Sequence, residues 1–167
     1  MEIINITNNL QGIHIPNAKI VAPWSNFSGA KDNFGSSKRN FTLILPPDIA
    51  AELTENGWPV RTQDPARVAE GEAPEYYLKI YVQYHEEANR KKYDPKIHLV
   101  SGGNVTDMTE ETISLFDSIQ FDNVDLIFTP YNWTVGGRSG VSAYLHEGYF
   151  VQSASVFAGY GAQTPTE

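Results

Sequence analysis

The chain has 167 residues and a mass of 18.6 kDa, a length that favours one domain with its own hydrophobic core. Hydrophobic residues make up 41% and charged residues 19%, a balance that excludes a globally disordered chain. No apolar run approaches the roughly 20 residues of a membrane-spanning helix, and the absence of cysteine excludes disulfides and thiol chemistry. Glu2 stands where a secretory signal carries basic residues, so a cytosolic protein is expected.

Charge is unevenly distributed along the chain. Twelve Lys and Arg oppose twenty Asp and Glu, for a net charge of −8, which argues against indiscriminate attraction to DNA. Residues 99–137 contain six acids and no Lys or Arg, whereas basic residues gather at 31–39 and 90–96. Because Coulomb attraction is screened beyond about 10 Å, an acidic protein can still present one basic groove.

The first half of the chain predicts short strands separated by loops. Two strands are expected over 19–24 and 39–45, joined by a loop rich in glycine, serine and asparagine. A short helix is predicted over 48–56, with Gly57 ending it. Residues 61–75 show no periodicity and are interpreted as a long loop.

The segment 76–84 alternates in character and predicts a strand with two different faces. Tyr77, Lys79 and Tyr81 fall on one face. Leu78 and Ile80 fall on the other, which we expect to be the core face. The tyrosine and lysine face must then look towards solvent or a ligand.

The second half adds a strand over 96–100, a helix over 109–119, a strand over 124–135 that Pro130 interrupts, and a partner strand ending near 151. Gly136-Gly137 is a hairpin signal between the last two strands. Residues 153–167 are small and polar and predict a flexible tail. Short strands without regular βαβ alternation favour a mainly β fold, either a small barrel or a sandwich.

Motifs for catalysis are scarce. The sequence lacks the P-loop, the dinucleotide-binding glycine motif and the paired-histidine zinc motif, and its four histidines are scattered. Asp107, Glu110 and nearby acids have the chemistry to hold Mg²⁺ for phosphodiester cleavage. A metal-dependent nuclease is therefore one hypothesis, beside the two that are given below. Acids at the start of a predicted helix are explained by its dipole alone, so no enzyme activity, metal or cofactor is expected.

Aromatic residues are interleaved with basic residues in several separate segments. A protein that binds single-stranded nucleic acid without sequence choice needs two kinds of side chain: flat rings on which bases stack, and cations beside them that contact the phosphates. The predicted stacking platforms are Phe27, Phe34, Tyr77, Tyr81 and Trp133. The predicted phosphate contacts are Lys31, Lys38, Arg39, Lys79 and Arg138.

The order of several short motifs resembles the single-stranded DNA-binding proteins of tailed bacteriophages. The motifs are Asn26-Phe27-Ser28-Gly29, Arg39-Asn40-Phe41, Gly57-Trp58-Pro59-Val60, Tyr77-Leu78-Lys79-Ile80, Pro130-Tyr131-Asn132-Trp133 and Ala143-Tyr144-Leu145. The resemblance implies an OB-fold over 1–152, a five-stranded Greek-key barrel with one or two short helices and long loops, followed by the tail 153–167. It implies a non-catalytic protein that coats single-stranded DNA.

The same resemblance implies a role in phage DNA replication, recombination or repair in the cytoplasm of an infected bacterium, with phage or host replication proteins as partners. Many such proteins recruit partners through an acidic C-terminal tail, whereas residues 148–166 here contain no acid. The alternative hypothesis is a protein-interaction or inhibitor module of the same fold, whose acidic surface binds a partner. In that case Tyr77, Tyr81 and Trp133 would be core residues.

Overall fold

The computed structural model describes residues 1–31 and 35–153, and within these ranges nine strands form one sheet. The strands are β1 (Glu2–Thr7), β2 (Leu10–Ile20), β3 (Arg39–Leu45), β4 (Arg61–Thr62), β5 (Tyr76–Val82), β6 (Lys96–Ser101), β7 (Asn104–Met108), β8 (Phe121–Val135) and β9 (Arg138–Gln152). One α-helix, α1 (Pro47–Glu55), follows β3, and short 3-10 helices span Ala22–Trp24, Pro65–Arg67, Ala88–Tyr93 and Ile113–Ser118. The fold is therefore mainly β, as predicted. None of the helices in the described ranges is long and apolar enough to span a membrane.

Five of the strands pair in a ring. β2 pairs antiparallel with β3 and with β8, β3 pairs with β5, and β8 pairs with β9. The ring returns to its start because β5 and β9 are parallel neighbours at Ile80↔Ala143 and Tyr81↔Tyr144. Outside the ring, β1 extends β2, β4 extends β5, and the β6–β7 hairpin extends β9.

Alternation along the ring strands places apolar side chains on the inner face. The fully buried members include Phe41, Leu43, Leu78, Ile80, Val124, Phe128 and Phe150. Burial of each such side chain contributes about 1.5–3 kcal/mol before conformational entropy is subtracted. The outer face of the same strands is left for polar and aromatic residues.

The helix α1 agrees with its prediction to within one residue at each end. Pro47 occupies the first turn, where a missing N–H costs nothing, and Ala50 and Leu53 are buried. Gly57 has a φ of 87°, a value that glycine adopts without strain. It turns the chain so that Trp58 packs edge-on against Phe128, with ring centroids 4.9 Å apart.

Several segments differ from the sequence prediction. The strand predicted over 19–24 ends at Ile20 and begins at Leu10. The helix predicted over 109–119 is only a 3-10 helix at Ile113–Ser118, preceded by the strand β7, which was not predicted. The Thr112 hydroxyl accepts the Thr109 N–H, and such local bonds compete with the α-helical pattern.

Pro130 does not interrupt β8, contrary to expectation. The strand runs from Phe121 to Val135, and Pro130 lies opposite Ala143 of β9. The pairing of β8 with β2 extends only as far as Phe128, so beyond that residue one edge of β8 has no partner among the strands of the described residues. A proline on such an edge costs no ladder hydrogen bond.

Candidate nucleic-acid interface

The outer face of β5 carries three of the predicted site residues. Leu78 and Ile80 are fully buried, whereas Tyr77 and Tyr81 are half-buried and Lys79 is exposed. The predicted division of this strand into a core face and an aromatic, basic face is confirmed. The remaining question is what lies beside the outer face.

A row of three tyrosines, here called the tyrosine cluster, crosses from β5 to β9 and β8. Tyr81 and Tyr144 are direct neighbours across the parallel pair, with ring centroids 5.5 Å apart and planes at 34°. The Tyr144 ring lies 5.2 Å from that of Tyr131, which is 54% exposed. Burial and the neighbouring tyrosines raise the pKa of Tyr144, which favours the neutral form of its hydroxyl still further.

Basic side chains border the tyrosine cluster. The Lys38 Nζ lies 5.7 Å from the centroid of the Tyr81 ring, within the range of a cation–π contact. A cavity of about 210 Å³ opens here and is bordered by Lys38, Arg39, Tyr81, Tyr84 and Tyr144, and also by one acid, Glu110, whose carboxylate lies 3.8 Å from the Lys91 Nζ. Lys38 and Arg39 therefore stand beside rings that could receive bases, as binding of a single strand requires.

Arg39 is held in place by two contacts. Its Nη1 donates to the carbonyl oxygen of Phe27 at 2.6 Å, and its guanidinium carbon lies 5.6 Å from the centroid of the Tyr84 ring. Burial raises the pKa of Tyr84 to about 12. Its hydroxyl is buried without a hydrogen-bond partner among the described residues, which is uncommon for a buried polar group.

A second aromatic pair lies at the other end of β5. Trp24, in the 3-10 helix after β2, meets Tyr77 edge-on with ring centroids 4.9 Å apart. The Tyr77 hydroxyl donates to the Glu75 carboxylate at 2.7 Å, and this bond raises the pKa of Tyr77. Trp24 remains 51% exposed, so an aromatic surface accompanies β5 at both of its ends.

Trp133 and Arg138 lie on the β8–β9 hairpin. Trp133 faces Gly140 across the hairpin, and a Cβ added to that glycine would lie 2.5 Å from the Trp133 Cζ2. The ring thus rests on the bare backbone of Gly140, an arrangement only glycine allows there. Arg138 is exposed just past the Gly136-Gly137 turn, which forms the predicted hairpin.

Phe27 was predicted as an exposed stacking platform, and this prediction is wrong. Its ring is completely buried. It stacks on Phe41 with centroids 5.2 Å apart and meets Phe116 and Phe150 edge-on at 5.3 and 5.9 Å. A ring enclosed on all sides has no free face for a base.

The loop around Phe27 is turned inward by hydrogen bonds to its backbone. The Asn26 Oδ1 accepts the N–H groups of Gly29 and Ala30, and the Asp117 carboxylate accepts those of Phe27 and Ser28 at 2.7 and 2.9 Å. Lys31 is exposed at the end of this described stretch. Phe34, the other predicted platform of the loop, lies outside the described residues.

Three of the six acids of residues 107–125, Asp107, Glu110 and Asp117, have separate structural partners. Asp117 holds the Phe27 loop, Asp107 contacts His98 at 2.6 Å, and Glu110 lies 3.8 Å from Lys91. In residues 1–31 and 35–153, His, Asp and Glu side chains do not form a group of three or more suited to a metal ion. These acids are therefore explained by the contacts that they make.

The sequence was then compared with known proteins. Residues 4–166 match the family model of the phage ssDNA-binding domain. The chain belongs to this family. A comparison with curated protein sequences gave no match.

Two solved structures share the fold of this phage ssDNA-binding domain. The single-stranded DNA-binding protein from bacteriophage Enc34 in complex with ssDNA aligns with a TM-score of 0.54 at 9% identity, over 92% of this chain and 97% of that chain. A C-terminal truncation of the Enc34 protein aligns with a TM-score of 0.51 at 10% identity, over 93% of this chain and 97% of that chain. At such low identity the likeness is one of fold.

Sequence reasoning missed Trp24, Tyr131 and Tyr144 as candidate residues of this domain. Trp24 follows an apolar run, and the sequence predicts a strand there. The hairpin signal at Gly136-Gly137 predicts β8 as one neighbour of the strand that carries Tyr144, but nothing in the sequence predicts β5 as the other, so the closeness of Tyr144 to Tyr81 had no local signal. Its alternation with buried Ala143 and Leu145 was the one clue to its outward position.

Proposed function

We propose that this domain binds single-stranded DNA without sequence choice on the outer face of β5, β9 and β8. The observation that carries the proposal is the tyrosine cluster, Tyr81, Tyr144 and Tyr131, with Lys38 beside it. Each stacked base contributes about 1–3 kcal/mol. Stacking uses a π-face that every base has, so such a surface does not select a sequence.

The proposed phosphate contacts come from cations that border this face. Lys38 and Arg39 precede and begin β3, Lys79 projects from β5 between two tyrosines, and Arg138 begins β9. Trp133 would extend the row of rings along the hairpin. Lys31 remains a proposed contact from the neighbouring loop.

We further propose that the ring of five strands is an OB-type barrel. Its supports are the antiparallel pairings β2–β3, β3–β5, β2–β8 and β8–β9, and the parallel pairing β5–β9. In an OB-fold, a sheet face and adjoining loops receive oligonucleotides. Residues 1–152 would form this one domain, and 153–167 a tail.

The proposed biological role is to coat exposed single strands during phage DNA replication, recombination or repair, in the cytoplasm of the infected cell. Coating requires no catalysis.

Incubation with labelled single- and double-stranded DNA and Mg²⁺ should leave both intact. Cleavage that is lost in Asp107→Ala would instead support a nuclease.

The proposal is tested by fluorescence anisotropy with labelled dT20 and with a duplex of equal length. The single strand should bind more tightly, because the bases of a duplex are stacked on each other and cannot reach protein rings. Equal binding of both would contradict stacking. Absence of binding to either would favour the protein-interaction module.

A further inference from the structure

A cavity of about 540 Å³ lies on the outer face where β3 and β5 meet the segment 61–67. It is separate from the cavity beside the tyrosine cluster, which different residues border. Trp24 and Tyr77 form its aromatic side, and Arg61, Arg67 and Lys79 are among its basic residues. The residues from the segment 61–67 were assigned to a featureless loop by the sequence analysis.

Charge in this cavity favours an anionic ligand. Arg61, Arg67 and Lys79 are exposed, and none of them forms an ion pair with another described residue. Asp64 is the single acid among the described lining residues, and its Oδ1 already accepts the Ala66 N–H at 3.0 Å. Three basic side chains against one acid give this cavity a local positive charge although the chain has a net charge of −8, and such a local field attracts an anion.

The aromatic side of the cavity can take a planar group. Trp24 touches Tyr77 edge-on, which leaves much of the indole uncovered, and the bond from Tyr77 to Glu75 fixes the phenol ring. A nucleotide has a group for each side of this cavity. Its base can stack on the Trp24 indole, and its phosphate can lie between Arg61 and Arg67, because Arg binds phosphate oxygens through paired N–H groups.

The polar lining does not prepare the cavity to read a particular base. Gln63 uses both ends of its amide on the backbone: its Oε1 accepts the Glu75 N–H at 3.0 Å, and its Nε2 donates to the Arg67 carbonyl at 3.4 Å. Asn40 donates its Nδ2 to the Lys38 carbonyl. Side-chain amides are the groups that read adenine most directly, and here both ends of the Gln63 amide and the Nδ2 of Asn40 are occupied by backbone groups.

We infer that this cavity is a second nucleotide-binding subsite, which holds one base on Trp24 and its phosphate on Arg61 and Arg67. Tyr77 and Tyr81 are four residues apart on one strand, about 13 Å, so the subsite and the tyrosine cluster engage different nucleotides of one bound strand. The inference rests on the proposed function and extends the path of the DNA along the whole of β5.

Four variants at three positions test the subsite by dT20 binding over a range of salt concentrations. Arg61→Gln and Arg67→Gln should each reduce the salt slope by about 0.7, the loss of one phosphate contact. Trp24→Ala should weaken binding about fivefold to a hundredfold, whereas Trp24→Phe keeps a stacking face and should bind nearly as the parent does. All three altered side chains are exposed, and unchanged melting temperatures would show that the variants fold.

Lys96→Gln is the matched control, because it removes one positive charge from β6 and Lys96 borders neither cavity. A parent-like salt slope in the Lys96 variant and reduced slopes in the two arginine variants would support the subsite. If the arginine variants and Trp24→Ala bind as Lys96→Gln does while Tyr81→Ala binds weakly, the subsite is wrong and the proposed function stands. If the parent itself does not bind dT20, both are overturned.

Discussion

At the residue scale, aromatic side chains of similar size have opposite environments in this domain. Phe27 is enclosed by three other rings, whereas Tyr131 is 54% exposed. The residues flanking Phe27 predict an exposed turn, and they do form a turn. The direction in which that turn points is decided by Asp117, 90 residues away, which no local pattern reveals.

The burial of Phe27 predicts a loss of stability in Phe27→Ala. The free energy of unfolding should fall by about 3–5 kcal/mol, since a buried ring is replaced by a cavity. Urea unfolding measures this change. The folded fraction should bind dT20 with an affinity close to that of the parent, so a stable variant with weak binding would contradict the core placement.

A second prediction concerns His98, whose ring nitrogens face Asp107 at 2.6 Å and Glu147 at 2.9 Å while Tyr149 stacks on the ring. Burial by itself lowers the pKa of His98, but the hydrogen bonds and charges of Glu147 and Asp107 outweigh it and raise the pKa. The folded state thus favours the protonated ring. Its stabilisation is complete below the unfolded pKa of about 6.5 and is lost as the pH rises through the folded pKa.

Urea unfolding of the parent and of His98→Gln between pH 5 and pH 9 measures this effect. The stability difference between them should be largest at low pH and should shrink as the pH rises. His146 is the control, because burial lowers its pKa, and the stability that the parent has relative to His146→Gln should fall as the pH decreases. The same pH trend in both variants would contradict the assignment.

At the element scale, the sequence predicts what depends on near neighbours and fails where distant strands meet. The faces of β5 and the limits of α1 follow from periodicity, proline and glycine within a few residues. The contact of Tyr144 with Tyr131 follows from the register of the β8–β9 hairpin, whereas the contact of Tyr144 with Tyr81 depends on the parallel pairing of β5 with β9. That parallel pairing cannot be predicted before the strand order is known, and two of the three cluster members, Tyr131 and Tyr144, were missed.

The two faces of β5 predict opposite effects of substitution. Tyr81→Ala and Tyr144→Ala should each weaken dT20 binding by about 1–3 kcal/mol with little loss of stability. Because the two rings touch, the double variant should lose less than the sum of the single effects. Anisotropy titrations and thermal melts of the same preparations give both quantities.

Two controls accompany these variants. Tyr81→Phe keeps the π-face and should bind nearly as the parent does. Ile80→Ala, on the inner face of the same strand, should cost about 2–5 kcal/mol of stability and leave binding by the folded protein intact. If the tyrosine-to-alanine variants melt early and the folded survivors bind normally, the rings support the fold and do not hold DNA.

At the scale of the whole molecule, the net negative charge would oppose binding of a polyanion such as DNA. The local arrangement of the charges allows the proposed binding in spite of this net charge. The acids Asp117, Asp107 and Glu110 are engaged with the Phe27 loop, with His98 and with Lys91. The bases Lys38 and Lys79 instead project beside tyrosines on the outer face of the ring. With screening beyond about 10 Å, a bound phosphate responds to these neighbours more than to the net charge of −8.

This arrangement predicts a salt-dependent affinity for single strands in spite of the net charge. If Lys38, Arg39, Lys79 and Arg138 each contact one phosphate, these four contacts alone should contribute about −3 to the slope of the logarithm of the dT20 association constant against the logarithm of salt concentration, and phosphate contacts of the further subsite would add to it. Lys38→Gln should reduce the magnitude of that slope by about 0.7, because one contact is lost, while Lys96→Gln, with the same change in net charge, should leave it unaltered. Equal slopes in these two variants would mean that net charge governs binding. A flat response in the parent would mean that the bases contact no phosphate, and the acidic surface would then be the better candidate for binding a partner.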